Sequence, residues 1–225
     1  MGFKITGNGG TDAEVDGTNF RAIRVTNRPI DVGALGSYRI AAISGLTTVI
    51  AAGTASAGHV FAFRWSDATR FAVVKTLKIR MAVITGFTAA QELGFDAFVA
   101  RSYTAAHAGG TAITLGGNNQ KKRTSMGTSL VGSASDVRIA STTALTGSSF
   151  TLDANPIMVG SFKTMAAAAT VQDNSYESML DLAAVDHPFV LAQNEGIVVR
   201  NQTLMGAAGT VRWNVEIAWD EVTSY

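Results

Sequence analysis

Cysteine is absent from this 225-residue sequence, and its absence removes several kinds of chemistry at once. Without thiols the chain has no disulfide framework, no cysteine nucleophile and no cysteine-ligated metal site. Charged residues are also scarce, at 16% of the chain against about 25% in a typical soluble domain. A chain with so few charges has a largely neutral surface, which favours an assembly that buries this surface over a free monomer.

The charge balance and the hydropathy pattern argue against further classes of partner. A formal net charge of +1 lacks the basic excess of a nucleic-acid-binding protein and gives no general attraction to an anionic membrane. No uninterrupted apolar run reaches the roughly 18 residues that a membrane span needs. The opening residues Met1–Lys4 lack the apolar core of a signal peptide, so we expect synthesis in the cytoplasm and a soluble product.

Proline is also rare, because the chain contains only Pro29, Pro156 and Pro188, whereas glycine occurs 23 times. Many short apolar runs are separated by clusters of Gly, Ser and Asn, which is the spacing of strands and turns. This pattern predicts an all-β chain that folds as an antiparallel β-sandwich with a jelly-roll-like topology. We expect at most about 15% helix, well below the usual third.

Alternation of apolar and polar residues predicts where the strands lie. The clearest run is Thr210–Asp220, where one face carries Val211, Trp213, Val215, Ile217 and Trp219. We expect that face in the core or in a subunit interface. Further strands are predicted at Phe20–Val25, Ser37–Ser44, Leu46–Ala51, His59–Trp65, Phe71–Thr85, Leu93–Tyr103, Ala112–Leu115, Val137–Ala140, Phe150–Leu152, Pro188–Leu191 and Ile197–Arg200. The alternation changes register near Lys75, which predicts either a bend or a β-bulge there. Thr88–Leu93 is predicted to be a short helix.

The domain organisation follows from composition. Residues 1–18 are polar and rich in glycine, and we expect a flexible N-terminal arm that is either disordered or ordered against a neighbouring subunit. Residues 19–225 are expected to form a single β-sandwich domain. Within it, residues 105–149 contain few large apolar side chains and predict a long, partly ordered excursion, which is either an insertion or a contact loop.

Nucleophilic catalysis has little support in the sequence. The three histidines, His59, His107 and His187, lie outside any recognised catalytic motif, so surface or loop positions are the simpler interpretation. No phosphate-binding GxxxxGK[ST] motif occurs. No cluster of His, Asp and Glu has the spacing of a zinc or calcium site. We therefore expect no metal, no cofactor and no catalytic residue.

Paired carboxylates are a second possible chemistry, because glycoside hydrolysis uses two of them. Asp181 and Asp186 flank a short apolar stretch, and Asp220 and Glu221 close the last strand. Sequence spacing cannot show the separation that such a pair needs, and any β-protein carries acids of this kind. We expect that the chain is not an enzyme.

Two sets of residues are candidate binding features. The basic run Lys121, Lys122 and Arg123 follows a Gly- and Asn-rich stretch, so it lies on a loop and is a candidate contact for phosphate or for an acidic partner surface, with a solvated loop as the alternative. The aromatic residues of the strands predict a core face, and their alternative is an exposed face that stacks on sugars or bases. These residues are Phe61, Phe63, Trp65, Trp213 and Trp219.

The C-terminal third resembles the end of many tailed-phage virion proteins. Pro188–Arg200 reads PFVLAQNEGIVVR, and it is followed by the alternating strand Thr210–Glu221. Gly94–Ser102 and Asn118–Met126 are similar to the same group of proteins. The resemblance implies a structural component of the virion and brings no catalytic residue with it.

The implied function is a virion structural protein that binds and reinforces a phage capsid, in the decoration or cement role. The implied partners are copies of the chain itself, as a homotrimer, and the major capsid protein, with no membrane and no specific nucleic acid. The implied location is the virion, after synthesis in the host cytoplasm. The alternative is a tail-fibre or adhesin-like β module that binds a host glycan. Exposed aromatic strand faces would favour this alternative, whereas buried ones and a large self-interface would favour the capsid role.

Overall fold

A computed structural model describes residues 36–44, 50–51, 56–115, 120–164, 175–181, 188–206 and 209–223. These residues belong to one compact unit. The predicted arm at residues 1–18, the predicted strand Phe20–Val25, most of the predicted strand Leu46–Ala51, Asp186 and His187 lie outside the described residues.

Strands dominate the described residues, which contain no α-helix and a single 3-10 turn, Ala134–Asp136. The strands are β1 Ser37–Ile43, β2 Ile50–Ala51, β3 His59–Trp65, β4 Phe71–Thr85, β5 Glu92–Ala105, β6 Thr111–Ala112, β7 Val137–Ile139, β8 Ser149–Leu152, β9 Met158–Lys163, β10 Ser175–Asp181, β11 Phe189–Leu191, β12 Glu195–Asn201 and β13 Thr210–Val222. The predicted strands His59–Trp65 and Phe71–Thr85 have the observed bounds.

Two antiparallel sheets pack face to face. Sheet one has the order β1-β13-β4-β10, with β11 also paired to β4 and β2 also paired to β13. Sheet two has the order β6-β7-β3-β12-β5-β8, with β9 also paired to β5. The predicted antiparallel β-sandwich is confirmed.

The strand pairing is nested, which defines the topology. The first strand, β1, pairs with the last, β13; β3 pairs with β12; β4 pairs with β10 and β11; and β5 pairs with β8 and β9. Successive nested pairs alternate between the two sheets. A long antiparallel ribbon rolled in this way is a jelly roll, as the sequence predicted.

The aromatic residues that the alternation assigned to the core lie there. Trp213 and Trp219 on β13, and Phe63 on β3, are fully buried. The rings of Phe63 and Trp219 are 5.0 Å apart between centroids, and those of Phe95 and Trp213 are 6.4 Å apart, so residues of opposite sheets interlock. Aromatic pairs at this spacing add to the stabilisation that burial provides.

The predicted β-bulge at Lys75 is confirmed. On β13, Ala218 pairs with Thr76 and the next residue, Trp219, pairs with Val74, so Lys75 is the extra residue. The bulge keeps Val74 buried and lets the Lys75 ammonium reach the carboxylate of Asp220. A bulge of this kind re-aims one side chain without breaking the ladder.

The predicted short helix at Thr88–Leu93 is wrong. Thr88 lies in a bend, and Leu93 already belongs to β5. The N–H of Gln91 donates to Thr164 Oγ1 at 3.2 Å, and its carbonyl accepts from the N–H of Thr164 at 2.8 Å. These tertiary hydrogen bonds are more favourable than the helix, because the few hydrogen bonds of a single helical turn barely offset the free-energy cost of nucleating it.

The excursion of residues 105–149 is ordered in its described parts, 105–115 and 120–149. β6 and β7 lengthen sheet two beyond β3. Its middle part reaches the edge of β1 in sheet one. The residues after β7 return over the outer face of sheet two and form a small second core there with Ala62, Ala100, Tyr103 and Val198.

Candidate contact surface

The basic run Lys121–Arg123 lies against the edge of β1. The N–H of Lys122 donates to the carbonyl of Ser37 at 3.0 Å. The N–H of Arg39 donates to the carbonyl of Gln120 at 2.9 Å. The backbone of the basic run is therefore held at the edge of sheet one, while the side chains of Lys122 and Arg123 are exposed.

The residues that follow the basic run are also held by specific contacts. Tyr38 Oη donates to the carbonyl of Gly127 at 3.0 Å. The carboxylate of Glu221, which is fully buried, accepts from Ser129 Oγ at 2.6 Å and from the N–H of Leu130 at 3.0 Å. Burial raises the pKa of Glu221, and these hydrogen bonds oppose that rise. Glu221 thus anchors the excursion to the last strand.

The outer surface of sheet one carries most of the charge near this loop. On β1, β4 and β13 the residues between the core positions point outward, because side chains alternate along a strand. We call this surface the cationic face; its cations are Arg39, Lys75, Lys78, Arg80, Lys122 and Arg212, and its carboxylates are Glu177, Glu216 and Asp220. In the part of the face that the structure describes, cations outnumber carboxylates two to one.

Ion pairs between neighbouring strands organise the cationic face. Arg39 pairs with Glu216 from β1 to β13, and Lys78 pairs with Glu177 from β4 to β10. Both pairs are solvent-exposed and contribute little to stability. They use two of the three carboxylates, and the buried Asp220 is used by Lys75.

Lys122 is the residue by which the loop joins the cationic face. Desolvation lowers the pKa of Lys122; Asp220 raises it, and the nearby Lys75 and Arg39 lower it further. Lys122 and Arg39 line a shallow depression of about 250 Å³. This volume is below the roughly 300 Å³ at which ligand pockets usually start, and a second depression on the same face, beside Lys78 and Arg80, has about 310 Å³.

A larger groove lies elsewhere. It has a volume of about 460 Å³ and is lined by Phe87, Leu204 and Met205, between the loops that precede β5 and follow β12. No charged side chain lines it. It is separate from the cationic face and brings no reactive groups together.

The predicted contact residues take different positions. Lys122 reaches the cationic face, Lys121 forms a single antiparallel bridge with Tyr38, and Arg123 is exposed. The strand residues of the face, such as Arg80, were not predicted as contact residues. The sequence could have indicated them. They are charged residues that alternate with the core positions of β1, β4 and β13, and the core positions of β4 and β13 were predicted correctly.

Two of the three histidines lie together. His59 Nδ1 and His107 Nε2 are 2.8 Å apart, and Tyr103 Oη is hydrogen-bonded to His107 Nδ1. Ser148 Oγ lies 3.3 Å from His107 Nε2. His107 is only 3% exposed, whereas Ser148 lies at the surface, so a substrate could contact the hydroxyl but not the imidazole.

The acidic pairs do not form a glycosidase site in the described residues. Asp220 and Glu221 are adjacent on β13 and point to opposite faces of sheet one, where Asp220 contacts Lys75 and Glu221 contacts Leu130. Neither carboxylate is exposed. Among the residues with described positions, no three His, Asp or Glu side chains are grouped so as to hold a metal ion. Within the same residues, no helix has the length and apolar character needed to cross a membrane.

Comparison with known proteins returns no relative. The sequence matches no protein-family model, and no curated protein or solved structure is significantly similar to it.

Proposed function

We propose that the chain is a virion structural protein that binds and reinforces a phage capsid and catalyses no reaction. The observation that carries this proposal is the cationic face, a charge-rich sheet surface next to which the basic loop is held in place. The jelly-roll topology adds support, because viral capsid domains commonly use it. The resemblance of the C-terminal third to phage virion proteins points the same way.

The chemistry of attachment follows from the excess of cations. Arg80, Lys122 and Arg212 take part in no ion pair among the described residues, so they are open to carboxylates of a partner. Each such contact is weak in water and is screened by salt. Many copies arranged by symmetry bind firmly through such contacts, because each attached copy raises the effective concentration of the next contact.

The adhesin alternative has less support. Glycan binding by the strand aromatics would require exposed rings, whereas Phe61, Trp65 and Trp213 are fully buried. These residues stabilise the sandwich, and their buried rings are not available to stack on a sugar. Buried aromatic faces are the outcome that favours the capsid role.

The proposed partners are copies of the chain and the major capsid protein, and the proposed location is the virion. We propose a homo-oligomer, because the low charge fraction and abundant small residues suit subunit interfaces, and we propose a trimer because the resemblance to phage virion proteins implies it. Sedimentation velocity of the free chain tests this state. Cross-linking on the particle distinguishes a trimer that forms only on the shell from a chain that remains a monomer.

Capsid binding is tested with particles assembled without this chain. Purified protein should bind them, and the binding should weaken as salt is raised. Arg80→Glu combined with Lys122→Glu should weaken it by about tenfold or more. Lys163→Glu is the matched control, because Lys163 is an exposed cation on β9 of sheet two. Failure to bind particles, together with measurable glycan binding, would replace the capsid role with the adhesin.

A further inference from the structure

The second core on the outer face of sheet two contains a chain of hydrogen-bonded rings. Tyr103 on β5 bonds to His107 at the start of the excursion, and His107 bonds to His59 at the start of β3. Phe150 on β8 contacts all three rings, with centroid distances between 5.0 and 5.4 Å. The two ends of the excursion are thus joined to sheet two through one cluster, which we call the histidine clasp: His59, Tyr103, His107 and Phe150.

Backbone hydrogen bonds lie beside the clasp. The N–H of Leu145 donates to the carbonyl of His59 at 2.7 Å. Ala108 and Thr146 exchange hydrogen bonds of 2.7 and 3.0 Å. These bonds tie the outgoing and returning parts of the excursion to each other and to β3, so separation of the rings would release both parts.

The hydrogen bonds of the clasp allow only some protonation states. With both imidazoles neutral, Tyr103 donates to His107 Nδ1, and His107 Nε2–H donates to His59 Nδ1. One added proton keeps both bonds: on His107 it makes that ring donate to both Tyr103 and His59, and on His59 it makes His59 Nδ1–H donate to His107 Nε2 while His107 Nδ1–H donates to Tyr103. A second added proton places an N–H of His59 against an N–H of His107, and the bond between the rings is lost.

The surroundings oppose both protons. Burial, together with the nearby His59 and Arg138, lowers the pKa of His107 to about 4. Burial also lowers the pKa of His59; Arg200 adds to this effect and Asp96 opposes it. Asp96 is engaged by Arg200 through two hydrogen bonds of 2.9 and 2.6 Å, so it gives the imidazoles little compensation.

The remaining neighbours of the clasp do not offset the lowered pKa values of the two imidazoles. Tyr103 stays protonated, because burial raises its pKa. Arg64 lies 6.0 Å from the Tyr103 ring centre and is paired with Asp136. Ser148 supplies a neutral hydroxyl.

The other anchor of the excursion responds to acid in the opposite way. Glu221 binds the residues around Leu130, and burial raises its pKa, so protonation of Glu221 removes a desolvation penalty. The contact between Tyr38 and Gly127 does not titrate in the acidic range, because burial raises the pKa of Tyr38 to about 12.

We propose that the histidine clasp is an acid-sensitive latch, which frees the part of the excursion on sheet two while Glu221 keeps its middle part attached to sheet one. Release exposes the apolar outer face of sheet two, including Ala62, Ala100 and Val198. The sign follows from linkage: the neutral clasp stabilises the closed form fully above about pH 6.5, and the stabilisation is lost as the pH falls toward 4. This proposal is independent of the capsid role.

Hydrogen exchange resolved by segment tests the latch, with rates corrected for the intrinsic pH dependence of exchange. In the wild-type chain, protection of residues 140–150 and 106–113 should fall by about 100-fold or more between pH 7 and pH 4. Protection of residues 127–131 should not fall. The double variant His59→Gln and His107→Gln should lose the pH dependence of the first two segments, whatever their level of protection.

The control is His187→Gln, which removes the third histidine and should behave as the wild type. Constant protection of residues 140–150 in the wild type would overturn the proposal. A fall that persists in the double variant would also overturn it, because acidic groups would then be the cause. An equal fall in the protection of residues 127–131 would indicate global unfolding. It would overturn the proposal that the two anchors respond to acid in opposite ways.

Discussion

Two tryptophans on the same strand offer a matched test of the core. Trp213 and Trp219 lie on β13 and are both fully buried. The indole N–H of Trp219 donates to Glu221 Oε1 at 3.2 Å, whereas that of Trp213 has no hydrogen-bond partner among the described residues. Substituting each by phenylalanine removes a similar volume but a different polar interaction.

The expected costs can be worked out from these contacts. Loss of part of the ring costs about 1–2 kcal/mol at either position, at roughly 0.8 kcal/mol per buried carbon. Trp219→Phe also removes a hydrogen bond to a charged acceptor, worth about 1.5–3 kcal/mol. Trp213→Phe removes an unsatisfied buried donor, which recovers about 1–3 kcal/mol of desolvation penalty. We expect Trp213→Phe to be near neutral and Trp219→Phe to be less stable by at least about 2 kcal/mol.

Urea unfolding at neutral pH, with equal slopes for all variants, measures the difference. Trp213→Ala is the reference for complete truncation and should cost about 3–5 kcal/mol. Equal destabilisation by the two phenylalanine variants would refute the assignment of the hydrogen bonds. Unchanged stability of Trp213→Ala would refute the assignment of the inward face.

Variants at three further places test other parts of the structure, with Gly127→Ala as a control for the glycine variant. Because burial lowers the pKa of His107 to about 4 from about 6.5, wild-type stability should fall by about 3 kcal/mol from pH 6.5 to pH 4, and urea midpoints of His107→Gln should show a smaller slope. Lys75→Met should cost about 3–5 kcal/mol by leaving Asp220 buried and unpaired, and adding Asp220→Asn should restore most of the loss in a double-mutant cycle. Gly196→Ala should cost about 1–3 kcal/mol or more, because its new carbon would lie 2.2 Å from a carbonyl oxygen of β3. Gly127→Ala, with nothing within 4 Å, should change the thermal midpoint little.

Sequence patterns predicted strands well where large apolar residues alternate with polar ones, as in β3 and β13. They missed β9. In that strand Gly160 occupies a buried position, whereas the apolar Val159 is 54% exposed, so the apolar residues do not mark the buried face. They also produced a helix at Thr88–Leu93 that does not form. At that position the local preference was outweighed by hydrogen bonds between Gln91 and Thr164, which are far apart in the sequence.

The candidate surface was only partly predictable. A run of cations such as Lys121–Arg123 is visible in the sequence because its members are adjacent. Arg39, Arg80 and Arg212 lie on three different strands, and they share a surface only because β1, β13 and β4 are neighbours. Nothing in the spacing of these residues along the chain specifies that order.

The sequence by itself determined the fold class, the inward face of each strong strand and the position of the bulge at Lys75. Period-two alternation encodes these features locally, since a strand that must bury one face can satisfy its pattern in only one orientation. The tertiary structure alone decided that β1 pairs with β13, that Lys122 joins the cationic face and that His59 meets His107. Those contacts join residues distant in the chain, and they depend on closing long loops around a shared core, which no local pattern records.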